Sequence, residues 1–117
     1  MTVQRLEDVT IARGSCFNPR FVFENADKTI PDYSDYTAYF ILSQYGFEDE
    51  NVYSQQMQAE DKNIFFAILN TSDTAELIDE TYTMKIVLVD ENGNQYKYAR
   101  GVLSVLNDTK QLEVSSI

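Results

Sequence analysis

The 117 residues fit one domain, and 44% hydrophobic with 13% aromatic content supplies a single core and excludes a disordered chain. Nineteen acidic against nine basic residues give a net charge of -10, which repels phosphate backbones and anionic lipid headgroups and so argues against nucleic-acid and membrane partners. Cys16 is the lone cysteine, so no intrachain disulfide forms; a small buried side chain and synthesis in a reducing compartment are expected. No stretch has the apolar length of a signal peptide or a membrane span.

Along the chain, apolar residues recur with period two or in short runs bounded by Asp, Asn, Gly and Pro, the pattern of β-strands. A first strand is expected over Val9–Ala12, ended by Gly14, and a second over 17–23, with Phe21 and Phe23 inward and Arg20, Val22 and Glu24 outward. Pro19 lacks a backbone donor and belongs at an edge or bulge. Residues 25–35, with Pro31 among many turn formers, form a surface loop. A third strand spans 36–44. The acidic run Glu48, Asp49 and Glu50 lies in a connection over 46–51, and a fourth strand follows at 52–58.

Residues 64–69 are apolar throughout, which predicts a fifth strand covered on both faces, with Phe66 and Ile68 in the core. The segment 71–77 breaks the alternation, and Ser72 or Asp73 is placed to cap one short helix. Thr81–Val89 alternates clearly, with Tyr82, Met84, Ile86 and Leu88 on one phase, matching Phe40 and Leu42 of the third strand. Asn92-Gly93 between two strand patterns is a strong hairpin signal; the partner strand runs over Gln95–Leu106, with Gly101 marking a bulge. The reading is therefore one domain over residues 1–117, with a core at about 9–106 and a tail at 107–117. It is an all-β, immunoglobulin-like antiparallel β-sandwich of about seven strands with at most one short helix.

The residues offer little chemistry. Without histidine, the commonest general base and transition-metal ligand are missing, and four scattered glycines cannot build a phosphate loop. No pair of the 19 carboxylates is favoured as an acid/base couple. The run Asp90-Glu91-Asn92-Gly93-Asn94 has oxygen ligands on alternate residues, as a calcium loop begins. It lacks glycine at the sixth position and glutamate at the twelfth, so the hairpin reading is preferred. No catalytic residue, cofactor or metal is expected.

The order of the blocks adds a resemblance. Val9-Thr10-Ile11-Ala12-Arg13-Gly14 precedes an aromatic strand, Ile30-Pro31-Asp32-Tyr33-Ser34-Asp35-Tyr36 leads into Thr37-Ala38-Tyr39-Phe40-Ile41, and Asn63-Ile64-Phe65-Phe66-Ala67-Ile68-Leu69 precedes Asp73-Thr74-Ala75-Glu76-Leu77. The series closes with Thr81-Tyr82-Thr83-Met84-Lys85-Ile86-Val87-Leu88-Val89-Asp90, Asn92-Gly93 and Arg100-Gly101-Val102-Leu103-Ser104-Val105. Over about residues 9–106 this resembles small virion proteins of tailed bacteriophages, in particular the N-terminal immunoglobulin-like domain of baseplate upper proteins. Such proteins often carry glycine at the place of Thr81 and usually continue into further domains. The resemblance implies a non-enzymatic structural or accessory protein, made in the host cytoplasm and carried in the tail, baseplate or capsid. Its partners would be other virion proteins or copies of itself.

Two surfaces are candidates for such contacts. If Phe40, Leu42, Ile86 and Leu88 point inward, Tyr39, Ile41, Val87 and Val89 point outward together, as an apolar interaction surface on a sheet face. The alternative function is a carbohydrate- or cell-surface-binding module in which Tyr33, Tyr36, Tyr39, Tyr45 and Tyr53 stack on sugar rings. Tyr82, opening its strand shortly after Asp79, resembles the tyrosine corner of immunoglobulin-like sandwiches, whose hydroxyl bonds to backbone a few residues upstream.

Overall fold

Nine strands and one short helix form among the residues that the computed structural model describes, which are 4–5, 8–77 and 81–106. The strands are β1 (Gln4–Arg5), β2 (Val9–Ala12), β3 (Arg20–Val22), β4 (Thr37–Gln44), β5 (Phe47–Gln56), β6 (Gln58–Asp61), β7 (Ile64–Phe66), β8 (Thr81–Val89) and β9 (Gln95–Leu106). The large sheet has the order β1-β9-β8-β4-β5, with β2 also pairing with β9, and the small sheet has the order β3-β7-β6. β1 and β2 run parallel to β9, while the remaining pairs are antiparallel. β8 lies between β4 and β9 in the large sheet, and the small sheet faces it across the core in a sandwich-like arrangement.

The core lies between the two sheets. Phe40 and Leu42 on β4, Met84, Ile86 and Leu88 on β8 and Leu103 on β9 are fully buried, and Phe23, Phe65, Ala67 and Leu69 face them from the small-sheet side. Phe40 joins the layers: its ring stacks on Phe21 at 6.2 Å and meets Phe17 edge-on at 6.2 Å. Tyr82 is buried as expected, whereas the upstream segment 78–80, where the hydroxyl's partner is sought, lies outside the described residues. The tail at 107–117 also lies outside them.

Several local expectations are corrected. The predicted strand at 52–58 is two strands: the chain leaves the large sheet at Met57, whose N–H donates to the Ala38 carbonyl at 2.8 Å, and enters the small sheet as β6. The acidic run Glu48, Asp49 and Glu50 is not a loop but part of β5, and the turn falls at Tyr45-Gly46, where Gly46 takes a φ of 83°. β5 ends the large sheet among the described residues. Ile64 to Leu69 is not covered on both faces: Phe65, Ala67 and Leu69 are buried, Phe66 is half-buried, and Ile68 is 47% exposed.

The short helix α1 (Thr71–Ala75) is capped by Asn70 rather than by Ser72 or Asp73. The Asn70 side chain accepts from the Asp73 N–H at 3.1 Å, and the Asp73 carboxylate accepts from the Asn70 N–H at 3.0 Å, a reciprocal box that satisfies two donors. Thr74, fully buried, donates to the Ser15 carbonyl at 2.7 Å and fastens the helix to the turn after β2. Cys16 beside it is exposed rather than buried. The bulge in β9 falls opposite the step from Ile86 to Val87, so that Ala99 and Lys97 flank it; Gly101 sits in regular register opposite Met84.

Candidate interaction face

The antiparallel register of β4 and β8 sets which residues share the outer face. Thr37 lies opposite Val89, Tyr39 opposite Val87, Ile41 opposite Lys85 and Ser43 opposite Thr83. Tyr39, Ile41, Val87 and Val89 are therefore neighbours on one surface, turned away from Phe40, Leu42, Ile86 and Leu88. Their exposure is uneven. Val87 is 7% exposed and behaves as a packed residue, whereas Tyr39, Ile41 and Val89 are half-buried.

Below this apolar group the face becomes polar. Lys85, 6% exposed, donates from Nζ to Asn51 Oδ1 at 3.1 Å, and the Ser43 hydroxyl donates to the same oxygen at 2.9 Å. One β5 amide thus ties β4 and β8 together across the sheet, a device that fixes register because a one-residue slip would break both bonds. Ile41 stands at the boundary, with Lys85 on one side and Ser54 of β5 on the other.

The small-sheet side presents a second outward apolar group: Val22, exposed as expected, with half-buried Phe66 and exposed Ile68, both of which sequence reasoning placed in the core. Arg20 lies opposite Phe66 and Val22 opposite Ile64; Val22 is 53% exposed and Ile68 47%. Beside them Arg20 holds Glu60 through two hydrogen bonds of 2.9 and 2.7 Å, and this exposed pair raises the guanidinium pKa and lowers that of the carboxyl.

A third cluster stands at the end of the sandwich where the chain enters β4 and turns from β8 into β9. Tyr36 packs against Tyr33 with ring centroids 5.2 Å apart and against Tyr96 at 6.1 Å, and Tyr33 rests edge-on against Phe23 at 5.8 Å. Of the five tyrosines proposed as sugar platforms, only Tyr33 and Tyr36 meet. Tyr53 packs on the core, Tyr39 lies on the large sheet's outer face, and Tyr45 occupies the turn at the opposite end. Tyr96 joins the row through the hairpin, which the Asn-Gly signal locates but whose register only the folded sheet supplies.

Asp90 organises that hairpin. Its Oδ1 accepts from the backbone N–H groups of Asn92 at 3.0 Å and Asn94 at 2.8 Å, while Oδ2 accepts from the Asn94 amide and the Tyr96 hydroxyl, each at 3.2 Å. Gly93, at φ 85°, supplies the left-handed residue that the turn requires. The carboxyl pKa is held below the ordinary aspartate value, first by the Asn94 N–H and then by the remaining donors working against partial desolvation. A lowered folded-state pKa means that this contribution to stability is complete above the unfolded value of about 3.9 and is lost as pH falls through the folded one. In a carboxyl-carbon NMR titration the Asp90 midpoint is expected below about 3.9; a midpoint at or above that value would show the four bonds to be absent in solution.

Among the described residues, no group of three or more His, Cys, Asp or Glu is arranged to hold a metal ion, and no helix is long and apolar enough to cross a membrane. No protein-family model matches the chain, and no curated protein is significantly similar to it.

Proposed function

We propose that this protein is a non-enzymatic structural or accessory component of a tailed-phage virion, carried in the tail, baseplate or capsid, that acts by packing a sheet face against a neighbouring virion protein or a second copy of itself. The order of sequence blocks, which resembles that of baseplate immunoglobulin-like domains, supports the virion setting. The observation that carries the packing role is the group Tyr39, Ile41 and Val89, which stays partly open to solvent on the side of the large sheet opposite the filled core. A sheet needs only one apolar face to fold, and an outward face is normally polar. The net charge of -10 keeps such a surface soluble until a partner covers it.

The decisive variant avoids Val87, because its burial makes a charge there a folding defect. The double substitution Ile41→Glu and Val89→Glu alters the two half-buried positions, and the carboxylate introduced at position 41 stands opposite Lys85, an opposite-charge pair that a sheet tolerates. The expected result is an unchanged circular dichroism spectrum with loss of self-association or of co-sedimentation with virions, read by light scattering and by binding to purified particles. A wild-type protein that is monomeric and binds no particle would sink the reading.

A further inference from the structure

At the tyrosine end of the sandwich a hydrogen bond ties two loops together, and the β8–β9 turn, closed by its own bonds, meets them through the contact of Tyr36 with Tyr96. The Tyr33 N–H donates to the Lys62 carbonyl at 2.8 Å, joining the loop before β4 to the turn between β6 and β7, and the Tyr36 N–H donates to the Tyr33 carbonyl at 3.0 Å. The β8–β9 turn closes with the Asp90 N–H on the Asn94 carbonyl at 3.0 Å, and the Tyr96 hydroxyl anchors it through Asp90. Loops fixed in this way on a rigid sandwich need little ordering when a ligand arrives.

What they present is a row of three half-buried rings, Tyr33, Tyr36 and Tyr96, with exposed Asn92 and Asn94 at its border. Small-ligand sites combine aromatic surface with a few placed hydrogen-bonding groups, and this combination suits a sugar, whose ring carries an apolar face and a polar edge. We propose that this row is a binding site for a neutral oligosaccharide, which stacks on the tyrosines while its hydroxyls bond to the asparagine amides. The site is independent of the sheet-face packing argued above.

Charge selects the class of sugar. Asp32 and Asp35 adjoin Tyr33 and Tyr36 in the chain and Asp90 bonds the Tyr96 hydroxyl, with Lys62 as the cation beside Asp32; acid outweighs base around the rings in a chain of net charge -10, so sialylated or phosphate-bearing glycans are repelled. Geometry disfavours the opposite choice, a caged cation. Neighbouring rings meet at interplanar angles of 73° and 53°, forming a row rather than a box of facing π-surfaces, and the Asp90 oxygens already accept four protein donors.

The test titrates the full chain with chitotetraose, cellotetraose and maltotetraose, and with sialyllactose as the anionic comparison. Backbone amide NMR and tyrosine fluorescence are the readouts; the chain has no tryptophan to mask the latter. At least one neutral tetrasaccharide is expected to shift the amides of residues 33, 36, 92, 94 and 96, with sialyllactose weaker. Tyr36→Ala is expected to weaken binding about tenfold or more. Because Tyr36 also packs on its neighbours, Asn92→Ala supplies a second variant at an exposed position, expected to weaken binding at unchanged melting temperature. Tyr45→Ala, at the opposite end, is expected to leave binding intact. No response to any neutral tetrasaccharide at about 10 mM, shifts confined to another surface, or undiminished binding by both the Tyr36 and Asn92 variants would overturn the proposal.

Discussion

Phe40→Ala is expected to lower the free energy of unfolding by about 3–5 kcal/mol, a large part of the roughly 5–15 kcal/mol that a domain of this size possesses. Phe40 is fully buried near the middle of β4 and touches both layers, stacking on Phe21 and meeting Phe17 edge-on. Its truncation therefore removes the transfer energy of a whole ring and opens a cavity that two β-sheets, held by their own ladders, cannot collapse to fill. The ring pairs add about 0.5–1.5 kcal/mol each beyond area. Urea unfolding should show the midpoint falling with an unchanged slope, as befits a loss of stability without a change in surface exposed. A loss below about 1 kcal/mol would mean that the sheets do not meet at this residue. Ile68→Ala is the internal contrast, because that side chain is 47% exposed and its removal leaves no cavity.

The parts of the fold legible in the sequence are those in which alternation and turn chemistry agree. β8 and β9 follow from one clean alternating run joined by Asn-Gly to another, and β2 from a short apolar run ended by glycine. β7 and the residues after it are not legible because Ile64 to Leu69 is apolar on both phases. Periodicity then carries no information about direction, and pairing with β3 decides that Phe65, Ala67 and Leu69 face in. β6 escapes sequence reasoning because each of its four residues is exposed, so nothing alternates, and the sheet switch at Met57 bears no glycine or proline. The Asn70 cap has a readable signal, the three-residue spacing to Asp73, lying one residue upstream of the segment that breaks the alternation. The four outer-face residues share a phase that the sequence displays, but the cover over Val87 is a property of packing around a central strand. The tyrosine row needs three loops to converge, a long-range event that no local pattern records.

Asn63 offers the second large effect, and it comes with a pH signature. This residue is 7% exposed; its Nδ2 donates to the Phe23 carbonyl at 2.9 Å while its backbone carbonyl accepts from the Phe23 N–H at 2.8 Å, so both backbone groups of Phe23 are satisfied by one residue of the β6–β7 turn. Asn63→Asp keeps the size but replaces the donor with an acceptor, so the Phe23 carbonyl loses the Nδ2 donor and faces a carboxylate in its place. At neutral pH the expected loss is about 1–3 kcal/mol, with any uncompensated charge adding to it. Protonation of the introduced carboxyl restores a donor, so its folded-state pKa must rise above the unfolded value of about 3.9. Between those two values the native state holds more protons than the unfolded one, and stability relative to wild type falls as pH rises. The difference between variant and wild type should thus be smallest below about pH 4 and should grow to its full size above the raised pKa. Parallel urea titrations of the two proteins at a series of pH values measure that difference directly. A deficit that is the same at acidic and neutral pH would show that the amide fills space there and donates no hydrogen bond to the Phe23 carbonyl.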